Sequence, residues 1–572
     1  MKFIYKSVLA LAVGAACCAP VYADGKSDQE VDELRDTLTG VLQALVEKGL
    51  LTREQAQAIV ADAQTKAEAA AQARAKAQAA QDEKEKDAIH VTYVPQIVRD
   101  EISRQVAKEV TPTVTGNVID EAKKDRWGIP GALPPWVNNF NFYGDMRFRV
   151  ENDHFAKDNQ QNTYLNYNVV NSAGGISKAG ANAYLNTTED RLRARIRLRL
   201  GIDAKITDGI TAGIRLATGS LTEPVSTNQT LGQSGNRYQF AVDQAYLRYD
   251  ATGRKLPWMT LTLGRMPNPF VSTDLVWDPD VQFEGMAATW RYALGGMSMP
   301  SHVFLTAGAF PLQEIELSSK DKWLYGGQLG FNMPWDNGGK MVIAGSYYSF
   351  SNITGKLNAP NSTLLNYTAP QYMQKGNTTF DILNDTDNST NLFALAPEYR
   401  EVNITALVDI PAFSHLLSVT ADYVTNVGYD RNKVLAQSGF ASVDQVTDPV
   451  GKLAFDKMVN GYQVGFAFGT VQSGKRGTWR TAINYKYLER DAVVDAFTDS
   501  DFHLGGTAAK GYILQGDWWF RDRNWLTVKY ISSDEIKHAG PVYLDAQGNA
   551  TVPNDTPRFG VDTFMFDVNG QF

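Results

Sequence analysis

The residues whose chemistry is plainest are five arginines at alternate positions: Arg191, Arg193, Arg195, Arg197 and Arg199 in the run RLRARIRLRL. A row of guanidiniums beside water is the chemistry of an anion-selective passage, not of bond making. Catalysis finds no support elsewhere. The six histidines (His90, His154, His302, His415, His503 and His538) lie in no HExxH and no Gly-x-Ser-x-Gly elbow, and no Walker-type phosphate loop occurs. A net charge of −8 argues against nucleic-acid binding as a main role. Cys17 and Cys18 fall inside an apparent export signal. The mature chain is therefore expected to lack thiols, and with them disulfides and cysteine-ligated metals. No cofactor or metal is expected.

A helix would spread the five arginines around its circumference. A β-strand puts all of them on one face and Leu192, Ile196, Leu198 and Leu200 on the other. Such a strand needs two environments, and a transmembrane barrel supplies hydrocarbon outside and a wet lumen inside. Arginine facing lipid costs about 2 to 4 kcal/mol near mid-membrane, so the arginines are expected to face the lumen. Arg147 and Arg149 lie on the face opposite Met146, Phe148 and Val150, and Arg215 opposite Ile214 and Leu216. In a meander of adjacent strands these eight make one pore-lining basic wall, a basis for anion preference. The alternative is that inward acids pair with them, giving a transverse field rather than an anion filter.

Two regions with different periodicity surround this motif. Residues 1–23 carry Lys2 and Lys6, an apolar run, and Val21-Tyr22-Ala23, the pattern of a signal peptide cleaved after Ala23. Residues 24–126 are rich in Ala, Glu, Gln, Lys and Arg and read as a periplasmic helical, coiled-coil region. Val31, Leu34, Leu38, Val41 and Leu45 form a short a/d seam there, suited to making a trimer or reaching peptidoglycan, with a solvated linker as the plainer reading. Residues 127–138, with Pro130, Pro134 and Pro135, are a linker.

From 139 to 572 the period becomes two, and about sixteen strand candidates can be placed, an even number as bacterial barrels require. Short connections at Thr207-Asp208, after Ala251, Gly295, Pro334, Pro411 and Gln472, and at Asp522 alternate with long ones over 153–187, 220–237, 266–280, 351–398, 428–459, 491–509 and 533–558. The 312–322 connection is intermediate, and the strand near 340–350 alternates poorly. This pattern distinguishes a periplasmic rim of turns from an outer rim of loops and places both termini in the periplasm. No segment is apolar for long enough to be a helical span.

The arginine-alternating strand TEDRLRARIRLRLGIDAKITDGITAGIRLATGS, the segment LGRMPNPFVSTDLVWDPDVQFEG from Leu263, the helical N-terminal region and the terminal phenylalanine resemble the bacterial "putative porin" family of outer-membrane proteins. The resemblance implies a transmembrane antiparallel β-barrel of about 16 strands, set among outer-membrane lipid and passing small solutes or ions. It also implies insertion by the barrel assembly machinery, for which Phe564, Phe566 and Phe572 match the signal. A loop folding inward to constrict the pore would be the segment holding Asn268, Asp274, Asp278 and Asp280, with Glu284 just beyond. On the alternative of a transverse field, the acids Asp274, Asp278, Asp280 and Glu284 are candidate partners of the arginine wall. The DLVWDPD spacing also permits calcium, with a solvated, proline-stiffened turn as the more ordinary reading. A structural tether between membrane and cell wall is the alternative function.

Overall fold

The computed structural model describes residues 139–572, apart from 253–255, 295–300, 317, 388, 438–456, 471–473, 537–542, 545–549 and 552–558. The signal peptide, the coiled-coil region, the linker and parts of three short connections lie outside the described residues. Sixteen strands alternate their faces: β1 Phe140–Phe155, β2 Arg191–Thr207, β3 Ile210–Thr218, β4 Phe240–Ala251, β5 Met259–Pro267, β6 Gln282–Ala293, β7 His302–Gln313 and β8 Lys322–Pro334. Then come β9 Lys340–Ser351, β10 Arg400–Ala412, β11 His415–Asn426, β12 Asn460–Thr470, β13 Trp479–Leu488, β14 Ala509–Arg521, β15 Asn524–Glu535 and β16 Gly560–Gln571. Each pairs antiparallel with its sequence neighbour, and β1 pairs with β16 from Asp145↔Gln571 to Phe155↔Val561. The sheet closes into a 16-strand barrel with no free edge, which satisfies every ladder without water.

The two faces differ as lipid and lumen require. Met146, Leu192, Ile214, Leu329, Ile404, Phe466 and Phe564 stand exposed on the outside, while Arg149, Gln328, Asn403, Thr405 and Lys486 on alternating positions are buried within. An outer face of this composition suits hydrocarbon. Among the described residues no helix is long and apolar enough to cross a membrane, and the crossing is made by strands.

Two-residue turns close β2–β3, β10–β11 and β14–β15. Phe413 and Ser414 both take positive φ (51° and 64°), as a primed hairpin turn demands. At the same rim, Gly144 and Phe572 exchange backbone hydrogen bonds at 3.0 Å, and the Phe572 ring lies over Gly144, where an added Cβ would meet it at 2.5 Å. The opposite rim carries the long loops. The 340–350 strand is regular despite its weak alternation. Val342 and Ala344 point inward against Phe304, Leu407 and Val271, so its lumen side meets packed chain, not water.

Candidate functional site

The arginines of β2 meet an ordered row on β1. Register pairs Asp145 with Arg199, Arg147 with Arg197, Arg149 with Arg195, Glu151 with Arg193 and Asp153 with Arg191. Because all ten sit on odd positions, they share the inner face: three of the five pairs set an acid against an arginine, and the other two set arginine against arginine. Asp145 bridges Arg197 at 2.9 Å and Arg199 at 2.7 Å. Glu151 pairs with Arg193 and, at 3.2 Å, with Arg195, while Asp153 reaches Arg193 at 3.3 Å.

Arg149, with 1% of its side chain exposed, is the centre of the wall. Its Nε and Nη2 donate to the two carboxylate oxygens of Asp567 on β16 at 2.8 and 2.9 Å, and Nη1 donates to Asp501 at 3.0 Å. Bidentate pairing of this kind is the strongest form that a guanidinium makes. Arg215 on β3 pairs with Asp243 at 2.6 Å. Seven of the eight arginines are thus met by seven carboxylates, Asp145, Glu151, Asp153, Asp243, Asp280, Asp501 and Asp567, and Arg191 makes no ion pair among the described residues.

The segment after β5 crosses the barrel. Its contacts lie on β8, β11 and β13, and β13 is eight strands from β5 in a ring of sixteen, which is the far wall. The Gln328 side chain on β8 accepts from Val271 N and donates to Val271 O, both at 2.8 Å. Asp422 on β11 accepts from the Thr273 hydroxyl at 2.6 Å, and Lys486 on β13 pairs with Asp274 at 3.4 Å. Phe270 and Trp277 anchor the crossing, with ring centroids 5.1 and 5.3 Å from Tyr348. Space for Phe270 exists because position 326 is glycine, where a Cβ would lie 2.5 Å from the ring.

The expected constriction residues therefore separate into different roles. Asp280 alone reaches the arginine wall, 3.2 Å from Arg199. Burial would raise its carboxyl, but Arg197 and Arg199 hold it down at about 2. Asp278 is pushed well above the usual range by burial beside Asp280 and Asp499, and it accepts from the backbone N–H of Asp280 and Ser500. Glu284 pairs with Arg265, and Asn268 closes a local turn, accepting from Phe270 N at 2.9 Å. Of the four loop acids offered as partners on the alternative of a transverse field, only Asp280 takes that place, and most partners of the wall are strand acids. The crossing segment is also buried, not a solvated turn, with Leu275 and Trp277 in the core. Among the described residues no three His, Cys, Asp or Glu side chains converge as a cation cage.

Two further loops fill the long-loop end. Lys375, from the 352–399 connection, donates to the carbonyls of His503 and Gly505, and Asn377 donates to those of Arg490 and Val493. Burial holds the Lys375 ammonium down to about 7 against the pull of Glu535 and Asp495. Burial would raise Asp501, but Arg149 and Lys529 hold it well below the usual carboxylate range. Among the cavities between these loops, one of about 240 Å³ lies beside Arg191, Arg193 and Arg195, and one of about 630 Å³ lies beside Trp277 and Asp280. Glu223 and Ser226 line both.

Sequence parity could have found Asp145, Glu151 and Asp153, which share the face of Arg147 and Arg149 on one strand. Asp501 and Lys375 carry no such signal, since their partners lie 352 and 128 residues away. Phe564 and Phe572 stand on the outer face and Phe566 between them is half-buried.

Residues 35–572 match a family model described as "Putative porin". Among solved structures, OprB of Pseudomonas putida aligns at 11% identity over 76% of this chain and 95% of its own, with a TM-score of 0.40. The outer membrane channel DcaP of Acinetobacter baumannii aligns at 12% identity over 76% and 97%, TM-score 0.36. An anion-selective porin from Comamonas acidovorans aligns at 10% identity over 76% and 99%, TM-score 0.36. No curated protein matches.

Proposed function

We propose, from the premise that the chain belongs to the "putative porin" family, that it is an outer-membrane channel for passive diffusion of small hydrophilic solutes and ions, with a weak preference for anions. The observation that carries this reading is the barrel's inversion: apolar residues outside, and inside a charged wall of arginines ion-paired with carboxylates. Cross-strand pairing makes that wall a field across the path more than a net charge along it. Arg191 is left without an ion pair among the described residues, and the paired groups still present donors and acceptors to a passing solute.

The crossing segment from Asn268 to Asp280 acts as the constriction, with Asp280 as its charged edge. The turn rim faces the periplasm, and the 24–126 region serves to trimerise the protein. Phe572, with Phe564 and Phe566, forms the strand end read by the barrel assembly machinery. Planar bilayers test the central reading: stepwise, ohmic conductance from the purified protein in potassium chloride is expected, and a protein that inserts without steps overturns it.

A further inference from the structure

The smaller cavity, at the long-loop ends of β1 and β2, is unlike the rest of the lumen. Its cationic lining is Arg191, Arg193, Arg195 and Lys375. Its apolar lining is Phe155, Tyr164 and Phe559, packed as a ring cluster, with Leu185 and Leu504 beside them. Phe155 and Phe559 stack with centroids 6.0 Å apart, and Tyr164 sits 5.1 Å from Phe559. Two carboxylates share the cavity. Asp153 is committed to Arg193 at 3.3 Å, and Glu223 lines this cavity and the larger one alike.

Lys375 and Arg191 point to a ligand. Lys375 is 3% exposed, and an ammonium has three donors. The carbonyls of His503 and Gly505 take two, and the nitrogen lies 5.6 Å from the centroid of Phe559, on the cavity side. Glu535 and Asp495 already act on the charge of Lys375, and the arginine of this cavity left without an ion pair among the described residues is Arg191 at the mouth, which an anion would complete. The cavity opens to solvent at Arg191 and Asn186. At about 240 Å³ it lies below the 300–1,000 Å³ of sites for drug-sized ligands.

We propose that this cavity is a binding site for small organic anions that carry a flat apolar ring, the carboxylate meeting Arg191, Arg193 and Lys375 and the ring meeting Phe155 and Phe559. Such solutes would be held at the entrance and passed over Glu223 and Ser226 into the larger cavity, whose walls include Trp277, Phe283, Phe310 and Phe497. The inference deepens the channel reading and rests on it for transport, but not for binding.

The experiment uses the full-length protein folded in detergent at pH 6, where Lys375 carries its proton, with benzoate, acetate and benzyl alcohol as probes in titration calorimetry. Benzoate is expected to bind saturably at least tenfold more tightly than acetate or benzyl alcohol. Arg191→Gln, at the exposed mouth, is expected to weaken benzoate about tenfold, the worth of one hydrogen bond to a charged group. Phe559→Ala should bring benzoate down to the acetate value. Benzoate binding no tighter than acetate overturns the proposal, as does benzoate affinity unchanged in both variants. In bilayers, benzoate should interrupt the wild-type current at the same concentrations. Conductance without benzoate binding overturns this site and leaves the channel. Binding without conductance overturns the channel and leaves the site.

Discussion

Replacing Arg149 by methionine exposes how the wall is held. The guanidinium is 1% exposed and Asp567 4%, and their two hydrogen bonds at 2.8 and 2.9 Å are joined by the pair to Asp501. Its loss leaves Asp567 with only Arg147 at 3.9 Å and Asp501 with Lys529 at 3.4 Å. Removing one partner of a buried pair costs about 3 to 5 kcal/mol, and the two distant cations place the expected loss near about 3. Asp567→Asn should cost less, about 1 to 2 kcal/mol, because Arg149 keeps Asp501. The double variant should recover part of the loss, with a coupling of at least about 1.5 kcal/mol. Urea titration of the protein in lipid vesicles, followed by tryptophan fluorescence, measures all four species. An Arg149→Met cost below about 0.5 kcal/mol with no coupling would refute the reasoning, since it would mean that the wall is fully solvated and its pairs are incidental.

Gly326→Ala puts a methyl group against the Phe270 ring and should cost about 1 to 3 kcal/mol by overpacking, loosening the crossing segment. Larger and noisier single-channel conductance is the expected readout, and an unchanged trace would remove Phe270 from the anchoring. Lys375 titrates near 7 when folded against an ordinary 10.5, so between these values the unfolded chain holds the extra proton. Its effect is then to increase stability as pH rises from about 7 to 10, by at most about 5 kcal/mol. The difference between wild type and Lys375→Met across that window measures it, and a flat difference contradicts the burial. Phe572→Ala should slow formation of the heat-modifiable folded form in cells, with the purified protein refolding normally. Equal rates in cells would remove the terminal residue as an assembly signal.

Much of the barrel was legible in the sequence because lipid and lumen impose a period of two that no helix shares. All sixteen strand positions follow from alternation and from the contrast of turns with long loops. Where alternation fades, at 340–350, the cause is physical: the crossing segment packs inside β9, so both faces become apolar. The site was legible in part. Its arginines announce themselves, and Asp145, Glu151 and Asp153 could have been counted with them by parity on β1. Asp501, Asp567 and Lys375 could not, because their pairing depends on closure of the barrel and on loops that meet far from their neighbours in sequence. The acids of the DLVWDPD segment drew attention for their spacing, yet Asp274 serves Lys486 and Asp278 accepts backbone N–H groups.

The zero-current potential across a bilayer with a potassium chloride gradient tests the paired wall most directly. Wild type is expected to shift slightly toward the chloride equilibrium potential and stop well short of it. With Arg191, Arg193, Arg195, Arg197 and Arg199 all replaced by glutamine, Asp145, Glu151 and Asp153 remain, and the sign should reverse toward potassium. A wild-type potential close to that of chloride, or one unmoved by the five replacements, would contradict a wall whose arginines are balanced by its own carboxylates.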